Sequence, residues 1–157
     1  MNRRLIIVCG LLGSGKTTLA KQLEAELSAI RFCPDEWMNA LDIDLYDEAM
    51  RQRIEKIQWD FAQKVLACDG VAIIEWGTWG RSERDALREG ARKLGASVEL
   101  RYLSASADIL FDRIKKRGME DPPIKKKIVE GWFKVFEEPT SDEIALFDSP
   151  GNYEFSI

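Results

Sequence analysis

The sequence predicts an α/β domain in which a parallel sheet lies between layers of helix. Short apolar runs alternate with longer amphipathic runs along the chain, the pattern of strands joined by helical crossovers. The first apolar run, Leu5, Ile6, Ile7, Val8 and Cys9, is unbroken, as in a strand buried on both faces. No repeat, low-complexity tract or linker divides the 157 residues, a length that suits one domain.

The elements follow in order. Residues 16–27 place Leu19, Ala20, Leu23 and Leu27 at helical spacing. Residues 30–33 read as a second strand that stops at Pro34. A long helical pattern over 46–67 carries Ile54, Ile57, Phe61, Val65 and Leu66, and the turn at Asp69-Gly70 leads to a third buried strand at 71–74. Residues 82–94 form a helix that ends at Gly95, a good C-terminal stop. A fourth strand is expected over 98–103, a helix over 107–116 up to Gly118, and another over 124–136 beyond Asp121-Pro122-Pro123. Residues 153–157 read as a terminal fifth strand. Ligands in such sheets gather at the carboxyl ends of the strands.

Composition removes several chemistries. Hydrophobic residues make up 45% and charged residues 32%, a balance that can bury a core. The chain has no histidine, which rules out Ser-His-Asp and Cys-His catalysis and His-ligated zinc. Lys and Arg number 23 against 27 Asp and Glu, a net charge of −4 that weighs against nucleic acid as the main partner without excluding a local basic groove. Cys9, Cys33 and Cys68 form no C-x-x-C pair, so packed, reduced thiols in a cytoplasmic protein are expected. The N-terminal apolar stretch is too short, and too soon broken by glycine, for a signal peptide or a membrane span.

The strongest motif is Gly10-Leu11-Leu12-Gly13-Ser14-Gly15-Lys16-Thr17, a full G-x-x-x-x-G-K-[ST] phosphate loop between the first strand and the first helix. Glycines let backbone N–H groups wrap a phosphate, and the helix N-terminus adds a favourable dipole. Lys16 is placed to reach the β- and γ-phosphates and Thr17 to bind Mg²⁺, with Gly10, Leu12, Gly13, Ser14, Gly15 and Thr18 completing the nucleotide contact. No N-K-x-D guanine element occurs, so ATP is expected.

Two carboxylates stand at strand ends. Asp35 follows the second strand, where it either accepts a proton from an attacking hydroxyl or caps a helix before Glu36-Trp37-Met38-Asn39. Glu75 ends the third strand, a position suited to holding Mg²⁺ through water, the alternative being a solvated acid. Trp37, Trp76 and Trp79 lie near strand ends and either wall a substrate pocket or fill core and rim. Arg81 and Arg84 fit substrate binding or a salt bridge equally. Arg113 and Arg117 are four apart on one helix face ahead of a chain break. They serve either as arginines of a closing lid or as a solvated face paired with Asp108 or Asp112.

The loop GLLGSGKTT, Pro34-Asp35-Glu36-Trp37, the segment from Glu75 through Arg81-Ser82-Glu83-Arg84-Asp85 and the Arg113/Arg117 helix together resemble the small P-loop kinase-like ATP-binding proteins. These are AAA-type kinases related to chloramphenicol phosphotransferase, zeta toxins and polynucleotide kinases. The resemblance spans roughly residues 5–147. It implies a single P-loop NTPase/kinase-like domain over 1–157, a three-layer sandwich with a five-stranded parallel sheet in the order 2-3-1-4-5 and a lid near 113–128. It also implies Asp35 as general base and Arg113 and Arg117 as lid arginines. Relatives often carry Asp where this chain has Glu75, and Asn where Gly118 follows Arg117. The expected activity is ATP- and Mg²⁺-dependent transfer of phosphate to a hydroxyl of a small molecule, such as an antibiotic or a sugar-like compound. The alternatives are a 5′-hydroxyl polynucleotide kinase, a zeta-like toxin acting on a nucleotide sugar, and an ATP-binding regulatory protein without an acceptor.

Overall fold

The computed structural model describes residues 2–148 and the backbone of 151–152. In chain order the elements are β1 (Arg4–Cys9), α1 (Lys16–Leu27), β2 (Ile30–Phe32), α2 (Pro34–Ala40), α3 (Glu48–Ala67), β3 (Val71–Gly77), α4 (Arg81–Lys93), β4 (Ser97–Tyr102), α5 (Ala107–Arg117), α6 (Lys126–Val135) and α7 (Ser141–Ile144). The strands pair in parallel in the order β2-β3-β1-β4, with β1 in the centre. The expected five-stranded order 2-3-1-4-5 is met by four full strands, the fifth place holding only a short pairing. Beside β4 lies only a two-residue backbone pairing, β5 (Gly151–Asn152), and the terminal strand expected at 153–157 falls outside the described residues.

Alternation along β1 divides the core. Leu5, Ile7 and Cys9 face a layer that includes Ala62, Leu66, Leu87 and Ala91 from α3 and α4. Ile6 and Val8 face Leu19, Ala20 and Leu23 of α1. All five β1 residues from Leu5 to Cys9 are fully buried, so the strand can tolerate no polar side chain there without a partner. A third cluster, Leu11, Leu110, Ile114 and Val129, lies between the phosphate loop and the α5–α6 pair. Close packing of α3 on α4 depends on Gly90, where a Cβ would fall 2.7 Å from the Trp59 ring.

Two helices escape the sequence pattern. Pro34 opens α2 rather than merely ending β2, because its fixed φ suits the first helical position. The four residues of α7 are too few to show periodicity; their Thr140 cap accepts the Glu143 N–H at 3.2 Å. Their function is to present Glu143, which is fully buried against the equally buried Arg84. Arg84 Nε and Nη2 approach the Glu143 carboxylate at 2.6 and 3.0 Å, and its remaining N–H groups donate to the Thr78 and Glu137 carbonyls, each at 2.7 Å. Arg84 therefore takes the salt-bridge role of the two open to it. The pair ties the turn after β3 to the segment after α6.

Breaking a buried pair leaves an uncompensated charge, so Glu143→Ala should cost about 3–5 kcal/mol of unfolding free energy. Denaturant unfolding monitored by tryptophan fluorescence measures this. A loss below about 1 kcal/mol, the value of a surface pair, would contradict the role given to Arg84.

Candidate active site

The site begins where β1 ends in the middle of the sheet. Gly13 and Gly15 take φ of 84° and 97°, a region that side chains disfavour. At Gly13 a Cβ would also sit 3.1 Å from Ile114 and 3.2 Å from the Leu110 carbonyl. Around Gly15 nothing lies within 4 Å of the Cβ position, so this stretch of backbone borders open space. Gly15 is the N-cap of α1 and brings no side-chain cap, which leaves the first N–H groups of a 12-residue helix free for an anion. Lys16 Nζ donates to the Gly10 carbonyl at 2.8 Å, across the mouth of the loop. Burial pushes the Lys16 ammonium below its ordinary range, while the Glu75 and Asp35 carboxylates act the other way. Ser14 is buried, Leu12 packs against the α5–α6 cluster, and Thr18 is exposed on the first turn of α1.

Thr17 and Glu75 meet. The Thr17 hydroxyl donates to Glu75 Oε1, and Glu75 is 5% exposed, which excludes the solvated acid as its role. Its other oxygen, Oε2, lies 2.7 Å from Arg31 Nη1. The sequence reading missed Arg31. The signal was present, since an arginine in a short, otherwise apolar strand needs a buried partner. A hydroxyl and a carboxylate are the hard oxygen donors that Mg²⁺ takes in small number, with phosphates and water completing its shell. No group of three His, Cys, Asp or Glu among the described residues could form an all-protein cage. The residues present therefore fit a magnesium ion that arrives with a nucleotide.

Asp35 is not the cap: Cys33 is the N-cap of α2, and Asp35 lies in its first turn. Its side chain is 50% exposed and its Oδ1 is 2.7 Å from Arg51 Nη2 of α3. The three tryptophans do not form one wall. Trp37 packs on Phe32 at 6.4 Å between ring centres. Trp76 donates its Nε1–H to Gln58 Oε1 at 2.9 Å. Trp79 instead joins Trp132 and Phe136 at 6.1 and 6.2 Å under α6. Arg81 is half-buried at the start of α4, with Nε 3.5 Å from Asp85. Cys9 and Cys33 are buried, with burial raising both thiols (Cys33 to about 11), so they are inert at neutral pH; Cys68 is exposed.

Arg113 reaches the phosphate loop, where Nη1 donates to the Gly13 carbonyl at 3.3 Å. Arg117, one turn on, pairs with Glu120 instead. Asp108 is taken by Lys126 at 2.5 Å, so it is not the partner of either arginine. Gly118 ends α5 in the left-handed region, at φ 60°.

The α3–α4 side of the site is acidic. Burial pushes Glu55 up to about 7, with Glu83 adding to the rise, Arg51 opposing it, and Glu48 and Asp35 adding further. Glu83 is likewise raised, chiefly by burial. The folded state then holds a proton on Glu55 that the unfolded chain has released between its ordinary value of 4.5 and about 7. Stability from this group therefore falls as pH rises through that window. Glu55→Gln should match the wild type in melting temperature near pH 4.5 and exceed it at pH 8. An equal difference at both pH values would contradict the assignment.

Comparison with known proteins agrees with this fold. Residues 5–139 match the AAA domain family AAA_33. A Schizosaccharomyces pombe protein named "Probable gluconokinase" is 26% identical over 151 residues, covering 88% of this chain and 75% of that one. Chaetomium thermophilum Kti12, solved with ADP-AlF3, superposes with a TM-score of 0.70 at 19% identity, over 97% of this chain and 89% of its own. A gluconokinase from Sinorhizobium meliloti gives 0.61 at 20% identity, over 90% and 79%. At such identities the two structures speak for the fold. The match over residues 5–139, together with the strand order and the glycine loop at the end of β1, places this chain in the AAA domain family, among the small P-loop kinase-like ATP-binding proteins.

Proposed function

We propose that this chain is an ATP- and Mg²⁺-dependent phosphotransferase acting on a hydroxyl of a small molecule. The observation that carries the reading is the hydrogen bond between Thr17 and the buried Glu75, with Lys16 and Asp35 at the same edge of the sheet. Loop N–H groups and Lys16 hold the β- and γ-phosphates, and Lys16 leaves the Gly10 carbonyl to do so. Thr17 and Glu75 supply the protein oxygens for magnesium, which when bound neutralises charge on those phosphates. Asp35 takes the proton of the acceptor hydroxyl as its oxygen bonds to the γ-phosphorus and the bond to the bridging oxygen of ADP breaks. Arg51 positions the Asp35 carboxylate for that step.

The lid is assigned to 113–128, comprising the end of α5, the break after it and the start of α6. Arg113 is already on the loop. Arg117 reaches the phosphates by exchanging Glu120 for them as the lid closes. Trp37 and Trp76 flank the acceptor side with Arg81, while Trp79 supports the lid from beneath. The relative named as a gluconokinase supports a small polyhydroxy acceptor. The carboxylates Glu48, Glu55 and Glu83 weigh against the polynucleotide-kinase alternative, because a nucleic-acid end would bring phosphates to an acidic surface. A zeta-like toxin finds no particular support. The superposition with Kti12 keeps one other reading open, an ATP-binding protein without an acceptor.

Transfer of the labelled γ-phosphate of ATP to a panel of hydroxylated antibiotics, sugars, sugar acids, nucleosides and 5′-hydroxyl oligonucleotides tests the proposal. The wild type should label one class, and Asp35→Asn should lower the rate by about 10²–10⁴ while retaining ATP binding. Labelling at an unchanged rate in Asp35→Asn would remove the base role. Tight ATP binding with slow, equal phosphate release by both proteins would favour the reading without an acceptor.

A further inference from the structure

Three carboxylates beside Asp35 lack a counter-charge. Glu48 and Glu55 lie on α3 and Glu83 on α4, and among the described residues none of the three forms an ion pair. The neighbouring arginines are committed elsewhere. Arg51 holds Asp35 at 2.7 Å and the Leu45 carbonyl at 3.0 Å, Arg81 is 3.5 Å from Asp85, and Arg84 is 2.6 Å from Glu143. Glu55 and Glu83 are half-buried, a setting in which carboxylates are ordinarily paired. Burial, and after it the charges of Glu83, Glu48 and Asp35, lift Glu55 to about 7 against the opposing pull of Arg51, so these acids share one edge. No three of them could cage a metal ion, so the charge that suits them is organic. Gln58, one turn after Glu55 on the same face of α3, adds a second, independent demand. It is fully buried, its Oε1 accepts the Trp76 Nε1–H at 2.9 Å, and its Nε2 has no partner. Trp76 follows Glu75 near the carboxyl end of β3, so the unpaired donor belongs to the acceptor end of the sheet. A buried amide N–H calls for an oxygen.

We propose that the phosphate acceptor is a hydroxylated amine, with its ammonium held by Glu55 and Glu83 and one of its oxygens held by Gln58, directly or through a water. The proposal rests on the reading of Asp35 as the base that receives the proton of the reacting hydroxyl. An ammonium offers three donors and no acceptor, which matches two carboxylates that no protein cation holds. Their attraction for it is strengthened by partial burial, where the effective dielectric is lower than in water. A neutral polyol would leave both charges uncompensated. An acceptor bearing a carboxylate or phosphate would set like charges side by side, so the same acids exclude it. Glu48, exposed at the rim, adds to the field that draws a cation in. The amide of Gln58 requires an oxygen rather than an ammonium, so the acceptor carries both groups, as an amino sugar or an aminated polyol does.

The test compares glucamine, sorbitol and gluconate, polyols of one length that differ in charge at one end. Their affinities for the chain with ADP and Mg²⁺ are measured by ligand-observed NMR, which needs no turnover. Glucamine should bind about tenfold more tightly than sorbitol, the low end of what a close charge pair contributes across an interface, and gluconate most weakly. Replacing both acids, Glu55→Gln with Glu83→Gln, removes charge at constant shape and should abolish the preference. ADP affinity should stay at the wild-type level in that variant and shows that it is folded. If the double variant does not fold, either single substitution should narrow the preference. Equal affinity for glucamine and sorbitol, tightest binding of gluconate, or a preference that survives in the folded variants overturns the proposal. Phosphate transfer by Asp35→Asn separates this failure from that of the base. If Asp35→Asn labels an amine at the normal rate, the reading of Asp35 fails while the charge preference stands. If the acceptor that is labelled is neutral or acidic and Asp35→Asn abolishes its labelling, only the amine fails.

Discussion

The proposed function turns on a carboxylate, Glu75, held almost out of water beside the hydroxyl of Thr17. An isolated buried carboxylate is costly enough to protonate or to disrupt the fold. Arg31 and Thr17 together offset that cost, one to each oxygen. The two elements they join are neighbours in space but not in sequence. Thr17 opens the helix after β1, Glu75 lies near the end of β3, and the parallel pairing of β1 with β3 brings them level. The sheet is thus the device that places the phosphate loop and the Glu75 carboxylate at one edge.

The same edge is coupled to the α5–α6 arm by packing. Gly13 rests against Leu110 and Ile114, and Arg113 holds its carbonyl, so α5 and the loop share one surface. The base of the arm is fixed independently. The Arg84–Glu143 pair holds the Thr78 and Glu137 carbonyls, and the Glu137 N–H donates to the Trp79 carbonyl at 2.9 Å. Arg117 is exposed and, among the described residues, pairs with its near neighbour Glu120.

Much of this was legible in the sequence because it is local. An unbroken apolar run, a glycine loop and a helical stripe each carry their own signal within a dozen residues, and β1, the loop and α1 fall where the pattern puts them. What was not legible depends on contacts between distant segments. Asp35 could be either a cap or a base from its neighbours alone, and Pro34 starting α2 one residue earlier removes the cap. The tryptophans near strand ends looked alike in sequence, yet Trp79 turns under α6 while Trp76 turns to Gln58 of α3. Arg84 and Glu143 are 59 residues apart, and Arg31 and Glu75 are 44 apart, so neither pair leaves a spacing to read. The fifth strand was expected both from residues 153–157, which lie outside the described residues, and from the resemblance, and the described backbone pairs beside β4 over the two residues of β5.

The central claim is that Lys16, Thr17, Glu75 and Asp35 act on one phosphate. A crystal structure with ADP, Mg²⁺ and aluminium fluoride tests it most directly, since the fluoride complex marks the position of the phosphoryl group in transfer. The account predicts the fluoride between Lys16 and the Asp35 carboxylate, with the metal held on the side of Thr17 and Glu75. A metal away from Glu75, or an Asp35 remote from the fluoride in a closed complex, would contradict it.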